Sequence, residues 1–360
     1  MFELDRRTAE ALGWGELLEH LAARCHSGRG RELALELPLL DDHDQVERRL
    51  GVVAEARACH DQGEPLPFGE VFDLRPALRR LRKEGALDGE VLLEIAETLR
   101  SGARLRRFLR GRDEQCPGLA RMAGRVAAMD EISGPIFDSF DERGELADHA
   151  SAELGPMRRR LRELHERITR RMRSLMEEPH IARWLQDTFY TQREERYVLP
   201  VRTDSGNAVK GIVHGSSGSG ATLFIEPQEV VAINNELKVV QLDVAREEAR
   251  IYAALSAMVR EEAAAIERNL QLLQELDVID AMARLAIDLE ARRPQVDASG
   301  GIALHAMRHP LMVLAGKQVV ANDLELEQGR TLIITGPNAG GKTVTLKTLG
   351  LCALRSEERR

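Results

Sequence analysis

Aromatic side chains are scarce in this 360-residue chain: eight Phe, three Tyr and two Trp make up 4% of it. Strands draw on aromatic and β-branched residues for their half-buried faces, so the scarcity argues against a β-sandwich and for a mainly α protein. Cysteine is scarce as well. Cys25, Cys59, Cys116 and Cys352 show no C-x-x-C spacing, which argues against a zinc ribbon or a disulfide framework and reads as free thiols in a reducing compartment. No apolar run approaches the roughly 20 residues that span a bilayer, so no membrane partner is expected. The start, Met1-Phe2-Glu3-Leu4-Asp5, carries neither a basic stretch nor an apolar one behind it, so no export signal is expected and the chain reads as cytoplasmic. Lysine is nearly absent, six residues against 45 Arg. A GC-rich coding bias accounts for that ratio and weakens any arginine cluster as a sign of phosphate binding. With 51 basic and 59 acidic residues the net charge is −8, which excludes a globally basic nucleic-acid binder and confines such binding to local patches.

What is present suits a folded chain of about two to three domains, with 43% apolar and 31% charged residues. Residues 1 to about 125 read as short helices: Leu17, Leu18, Leu21 and Ala22 follow helical spacing, as do Val46, Leu50, Val53 and Ala54. Breaks fall at Pro38 and across Gly63–Gly69, and a further helix is expected from about Gly89 to Leu109. Ser133-Gly134-Pro135 reads as a loop. From Leu154 the apolar positions 154, 157, 161, 164, 168, 172 and 175 step alternately by three and four, the seam of a coiled coil, and Pro179 ends or kinks that helix. A second such run begins at Val230, passes Ile233, Leu237, Val240, Val244, Ile251, Leu255 and Met258, and drifts to about Leu289. At 1.5 Å per residue, helices of roughly 40 and 90 Å result if they are unbroken. Between them, Tyr197–Val201, Gly211–Val213 and Thr222–Ile225 are short β-type runs, so a small β insertion is expected at the tip of an antiparallel helical hairpin. After Arg292-Arg293-Pro294 come β-type stretches near Ile302–Leu304, Val319–Val320 and Leu324–Leu326, then Thr331–Ile334, which reads as a buried strand.

The most specific motif follows that strand. Gly336-Pro337-Asn338-Ala339-Gly340-Gly341-Lys342-Thr343 fits G-x-x-x-x-G-K-[ST] at every fixed position, and Val344–Leu354 behind it is helix-forming. Strand, loop and helix in that order are what phosphate binding needs. Glycines permit backbone angles and close approach that a Cβ would block. The loop N–H groups and the positive end of the helix dipole then face the phosphates. Lys342 is expected to reach the β- and γ-phosphates of ATP, and the Thr343 hydroxyl to ligate Mg²⁺. Hydrolysis needs a second acidic strand, and none occurs in the 17 residues after Thr343. No catalytic residue is therefore assigned, and the nucleotide domain reads as cut off after its first βα unit.

Thr335 to Thr343, continued by Val344-Thr345-Leu346-Lys347-Thr348-Leu349-Gly350, resembles the P-loop of the MutS family, and more narrowly its MutS-two branch. Arg196–Val201, Gly211–His214, Gly218–Pro227, Arg308-His309-Pro310-Leu311 and Asn322-Asp323 agree with it, so the resemblance covers nearly the whole chain. It implies a helical core over 1–132 and lever helices over 133–292 with a β clamp at about 187–226. The start of an ABC-type P-loop ATPase domain then occupies 293–360. It implies ATP-dependent binding of branched or mismatched double-stranded DNA, homodimerisation through the ATPase domains and restraint of recombination. An endonuclease activity would reside in a C-terminal domain outside these residues. Other members of the branch are linked to stalled or collided ribosomes, so ribosomal RNA is the alternative partner. Walker B, the signature loop and the nuclease domain are absent, so a truncated product is expected, with a non-catalytic interaction module as a third reading.

Weaker signals complete the picture. Arg158, Arg159, Arg160, Arg162, Arg167, Arg170, Arg171 and Arg173 crowd the first long helix. Of these, Arg158, Arg159, Arg162, Arg170 and Arg173 are candidate nucleic-acid contacts; a solvated coiled-coil face explains them equally well. In Gly215–Gly220, Ser217 and Ser219 are candidate phosphate contacts on a turn. Phe68-Gly69-Glu70 has the F-x-E spacing of a mismatch wedge but lies in a Pro/Gly-rich connector, so that role is not assigned.

Overall fold

The computed structural model describes residues 4–40, 42–206, 208–296, 301–336 and 341–356. Eight helices lead: α1 (Arg6–Leu12), α2 (Trp14–Ala22), α3 (Gly28–Leu35), α4 (His43–Asp61), α5 (Arg75–Leu81), α6 (Gly89–Leu109), α7 (Pro117–Gly124) and α8 (Asp130–Ser139). There follow α9 (Leu154–Glu177), α10 (Pro179–Ala182), β1 (Thr191–Arg193), β2 (Arg196–Arg202), β3 (Gly211–Ser216), β4 (Thr222–Pro227), α11 (Gln228–Glu261) and α12 (Ala263–Asp288). Last come β5 (Ile302–Met307), α13 (Pro310–Leu314), β6 (Asn322–Leu326) and α14 (Lys342–Ser356). The protein is thus mainly helical with small antiparallel sheets. It divides into two compact units, one of Met1–Gly85, Val91–Gly134 and Met258–Arg360, the other of Ala86–Glu90 and Pro135–Ala257.

In the first unit α12 is the axis. Ile266, Leu270, Leu273, Leu276, Val278, Ile279 and Ala283 are buried on nearly all of its sides, and α2, α3, α4, α5 and α7 pack around it. Burial of that kind leaves polar residues little water, and Asn269, Asp277 and Asp280 find protein partners. Asp277 accepts from His26 N at 2.8 Å, Ser27 N at 2.9 Å and Ser27 Oγ at 2.6 Å. Ser27 Oγ in turn accepts from Gly30 N at 2.9 Å, which caps α3. A Cβ on Gly30 would stand 2.2 Å from Asp277 Oδ2, so only glycine fits. Asp280 lies between His60 Nε2 at 2.7 Å and His26 Nε2 at 3.2 Å. Phe68 stacks on His26 with ring centroids 4.8 Å apart, so its ring is committed to a packing role.

In the second unit α9 and α11 pack side by side. Leu164, Ile168, Met172 and Leu175 of α9 share one buried cluster with Val230, Ile233 and Leu237 of α11. The cluster is completed by Tyr197, Leu199, Val201 and Ile225 from an antiparallel sheet of order β1-β2-β4-β3. Register fixes this face: Leu199 pairs with Ile225 and Val201 with Leu223, so those four side chains point the same way. The opposite face carries Glu226, fully buried, with Arg196 Nη1 at 2.8 Å, His214 Nε2 at 2.6 Å and Asn234 Nδ2 at 2.9 Å.

Four local expectations are corrected. Ser133-Gly134-Pro135 lies within α8, because Ile132 and Ile136 are buried one turn apart and that burial outweighs the hydrogen bond Pro135 forfeits. The second long helical run is interrupted at Glu262, which leaves helical conformation at φ −102° and ψ 12°. Val319–Val320 is not a strand; Val320 is 81% exposed, and the ladder partner of β5 is Asn322–Leu326. Thr331–Ile334 is neither strand nor buried, with Ile333 79% exposed. A strand persists only where a neighbour satisfies its N–H and C=O groups, and no ladder partner for 331–334 exists among the described residues.

Candidate functional site

The glycine-rich loop belongs to the first unit. Pro337, Asn338, Ala339 and Gly340 lie outside the described residues; Gly336, Gly341, Lys342 and Thr343 lie inside them. Gly341 has φ +78° and Gly336 φ +148°, both in the range that a side chain strains, so glycine is required at each end of the loop. α14 begins immediately after Gly341, and Gly341 O accepts from Thr345 N at 2.9 Å and Thr345 Oγ1 at 3.1 Å. Lys342 opens the helix, and its Nζ turns back to the carbonyl oxygen of Gly336. Thr343 is exposed on the first turn.

α14 is held by its far side. A Cβ on Gly350 would meet Leu12 Cδ2 at 2.7 Å, so this glycine lets α14 and α1 approach closely. Thr348 and Leu351 are buried with it, and Thr348 Oγ1 donates to Val344 O at 2.7 Å. One neighbour escaped sequence reasoning. His309 is buried ahead of α13, its Nδ1 has no hydrogen-bond partner among the described residues, and Pro310 starts the helix behind it. Burial first, and then the Lys347 ammonium of α14, hold its imidazole below the usual histidine range. The motif Arg308-His309-Pro310 was visible in the sequence, but its closeness to α14 was not.

The described loop residues bring together groups of the kind that bind phosphate. A lysine and a hydroxyl sit on the first turn of a 15-residue helix, behind a loop whose two described glycines adopt positive φ. Thr343 alone would offer a metal a hydroxyl ligand; no group of three His, Cys, Asp or Glu side chains able to hold a metal occurs among the described residues.

The second unit carries the other candidates. Arg158 is committed internally: it donates to Leu146 O at 2.6 Å, Asp148 Oδ1 at 3.1 Å and Glu248 Oε1 at 2.7 Å. Arg162 stands 3.6 Å from Asp148. Arg159, Arg170 and Arg173 are exposed and have no carboxylate within 4 Å among the described residues. At about 100° per residue, Arg159, Arg162, Arg170 and Arg173 fall on one side of α9, opposite Leu164, Ile168 and Met172. Ser217 builds its own turn rather than facing outward: its Oγ accepts from Thr222 N at 3.1 Å and lies 3.3 Å from Ser219 Oγ. Ser219 is exposed. The Glu226 cluster was not legible in the sequence, because alternation with Leu223 and Ile225 puts Glu226 on the face away from the apolar cluster, and its partners Arg196 and Asn234 come from β2 and α11.

No family model matches the chain. It is 39% identical over 359 residues to the endonuclease MutS2 of Anaeromyxobacter sp. (strain Fw109-5), an alignment that covers 97% of this chain and 45% of that protein. It is 37% identical over 355 residues to the endonuclease MutS2 of Symbiobacterium thermophilum, with 98% and 44% covered. The corresponding protein of Geobacillus sp. (strain WCH70) is 36% identical over 358 residues, with 98% and 45% covered. The chain therefore spans a little under half the length of the curated relatives it matches. Identity at this level, sustained from the helical units through the glycine-rich loop, makes the chain a member of the MutS family, in its MutS2 branch.

Proposed function

We propose that this chain supplies the nucleic-acid-gripping part and the phosphate loop of a MutS2-type protein that binds branched or mismatched double-stranded DNA under the control of ATP. The observation that carries the reading is the turn of Lys342 back onto the Gly336 carbonyl at the start of α14, which draws the two fixed ends of the motif together. Gly336 to Gly341 would cradle the phosphates through backbone N–H groups, Lys342 would neutralise their charge, and Thr343 would ligate the accompanying Mg²⁺. In this reading residues 1–132 are the core. Residues 133–292 are the lever, with the four-stranded sheet as clamp, and 293–360 begin the ATPase domain. Arg159, Arg162, Arg170 and Arg173 would meet the phosphate backbone, with Ser219 at the clamp turn and Arg158 and Ser217 as supports. A homodimer formed through complete ATPase domains, and a nuclease function carried by other residues of such a protein, belong to the same reading.

The test is binding of a fluorescent ATP analogue with Mg²⁺ to the 360-residue chain, beside Lys342→Ala. The substitution is expected to weaken binding at least tenfold while leaving the fold intact by circular dichroism; equal binding overturns the nucleotide assignment. A parallel capture assay offers a four-way DNA junction and 70S ribosomes. Junction capture supports the DNA reading, and capture by ribosomes alone overturns it in favour of a ribosomal substrate.

A further inference from the structure

The first unit carries a second basic surface, separate from α9. Arg106 and Arg107 in the last turn of α6 and Arg110 just after it are exposed, as are Arg121 of α7 and Arg125 just after it. None of the five has a carboxylate within 4 Å among the described residues. Their neighbours are paired: Arg112 Nη1 donates to Glu64 at 2.8 Å, and Arg104 stands 3.3 Å from Glu97.

Shape adds a second observation. Arg106 and Leu109 of α6, Arg110, Gly111 and Asp113 after it, and Ala120 and Gly124 of α7 line an open cleft of about 330 Å³. Small residues line the α7 side of the cleft, and Arg106 and Arg110 line the other. Arg106 and Arg110 are one turn apart, about 6 Å along the helix. Asp113 is the only acidic side chain among the lining residues. The N–H groups at the start of α7 are not involved, because Glu55 accepts from Gly118 N at 3.0 Å and Leu119 N at 2.8 Å. Arg106 and Arg110, with a single carboxylate in the lining, give the cleft a net positive charge. Guanidinium groups match phosphate oxygens by paired hydrogen bonds.

We propose that the cleft between the end of α6 and α7 is a second contact for a nucleic-acid phosphate backbone, with Arg106 and Arg110 as the residues that meet it. This rests on the nucleic-acid reading given under Proposed function. The cleft is a backbone contact and carries no sequence preference, since no aromatic or amide side chain lines it to read a base.

The test measures binding of the 360-residue chain to a 40-base-pair DNA duplex and a 40-base-pair RNA duplex over a series of salt concentrations. Arg106→Ala/Arg110→Ala is expected to make the slope of log K against log salt shallower by roughly 1 to 2 in at least one arm, and Arg106→Lys/Arg110→Lys to retain it. The arm that responds names the source of the backbone. An unchanged slope in both arms, while the parent chain binds, overturns the cleft and leaves the wider reading standing. Absence of any duplex binding by the parent overturns both.

Discussion

Tyr197–Val201 and Thr331–Ile334 are both short, apolar and β-type, and they meet different fates. The first becomes the middle of β2, paired on both edges, with Val198, Leu199 and Val201 fully buried. The second leaves Leu332 46% and Ile333 79% exposed, without a ladder. Both consist mainly of strand-forming residues, and it is the first that carries a proline, so the difference lies in what surrounds them. β2 has β1 and β4 for its backbone and α9 and α11 for one face. Strand identity is a property of the pair, and an apolar run of four or five residues is only an offer to pair.

The strongest way to break this comparison is to attack what makes the β2–β4 region self-sufficient. Glu226→Ala leaves Arg196 beside an empty buried site, and removal of one partner from such a cluster costs about 3–5 kcal/mol. Trp184 lies in the second unit and Trp14 in the first, so urea unfolding followed by Trp184 fluorescence in a Trp14→Phe background reads the right unit. A loss under about 1 kcal/mol, no more than one net hydrogen bond, would mean that Glu226 does not organise the sheet.

A paired substitution tests the two stretches directly. Leu199→Ala is expected to cost about 2–5 kcal/mol, as for a filled core position. Ile333→Ala is expected to stay within about 0.5 kcal/mol, as for an exposed one. Equal costs would place 331–334 in a packed environment and cancel the contrast.

His309 sharpens the comparison, because it is buried where Leu332 and Ile333 are exposed. Its imidazole is held below the ordinary 6.5 by burial first and Lys347 second. The unfolded chain therefore binds the extra proton first, so stability is complete above about pH 6.5 and declines as pH falls below it. His309→Gln is expected to flatten the change in melting temperature between about pH 7.5 and 5.5 by a few degrees. A profile parallel to that of the parent would remove His309 from the account.

The smallest expected signal is an absence of reaction. Burial pushes the Cys25 thiol to about 12, and burial with a hydrogen bond to Cys116 pushes Cys59 to about 12. Neither is expected to be alkylated by iodoacetamide in the native protein at about pH 8, where thiolate would be scarce. Mass spectrometry showing rapid labelling of Cys59 would mean that α4 and α7 open readily.

Legibility followed the kind of force that acts. The helix expected over Gly89–Leu109 has those bounds in α6, and the seam from Leu154 is the buried side of α9, because helical hydrogen bonds close within the segment. β1 went unseen, since Thr191–Arg193 is too short and polar to show a period. Pro135 misled, because burial of Ile132 and Ile136 on either side cannot be read from a proline. Of the candidate site, both described ends of the glycine-rich loop were legible as a motif. The pairing of Arg158 with Asp148 and Glu248 was not, since its partners lie 10 and 90 residues away.

The sequence alone determined the helical majority, the two long helices with their β insertion, the glycine-rich loop and the family to which these belong. Each is written in local spacing or in a run of fixed residue types. Tertiary structure decided which apolar runs became strands and which arginines stayed free of carboxylates. It also decided that Asp277, Asp280 and Glu226 would be buried among partners. Those outcomes depend on long-range neighbours, because a strand edge, a cation or a buried carboxylate is stable only when the group opposite it is present.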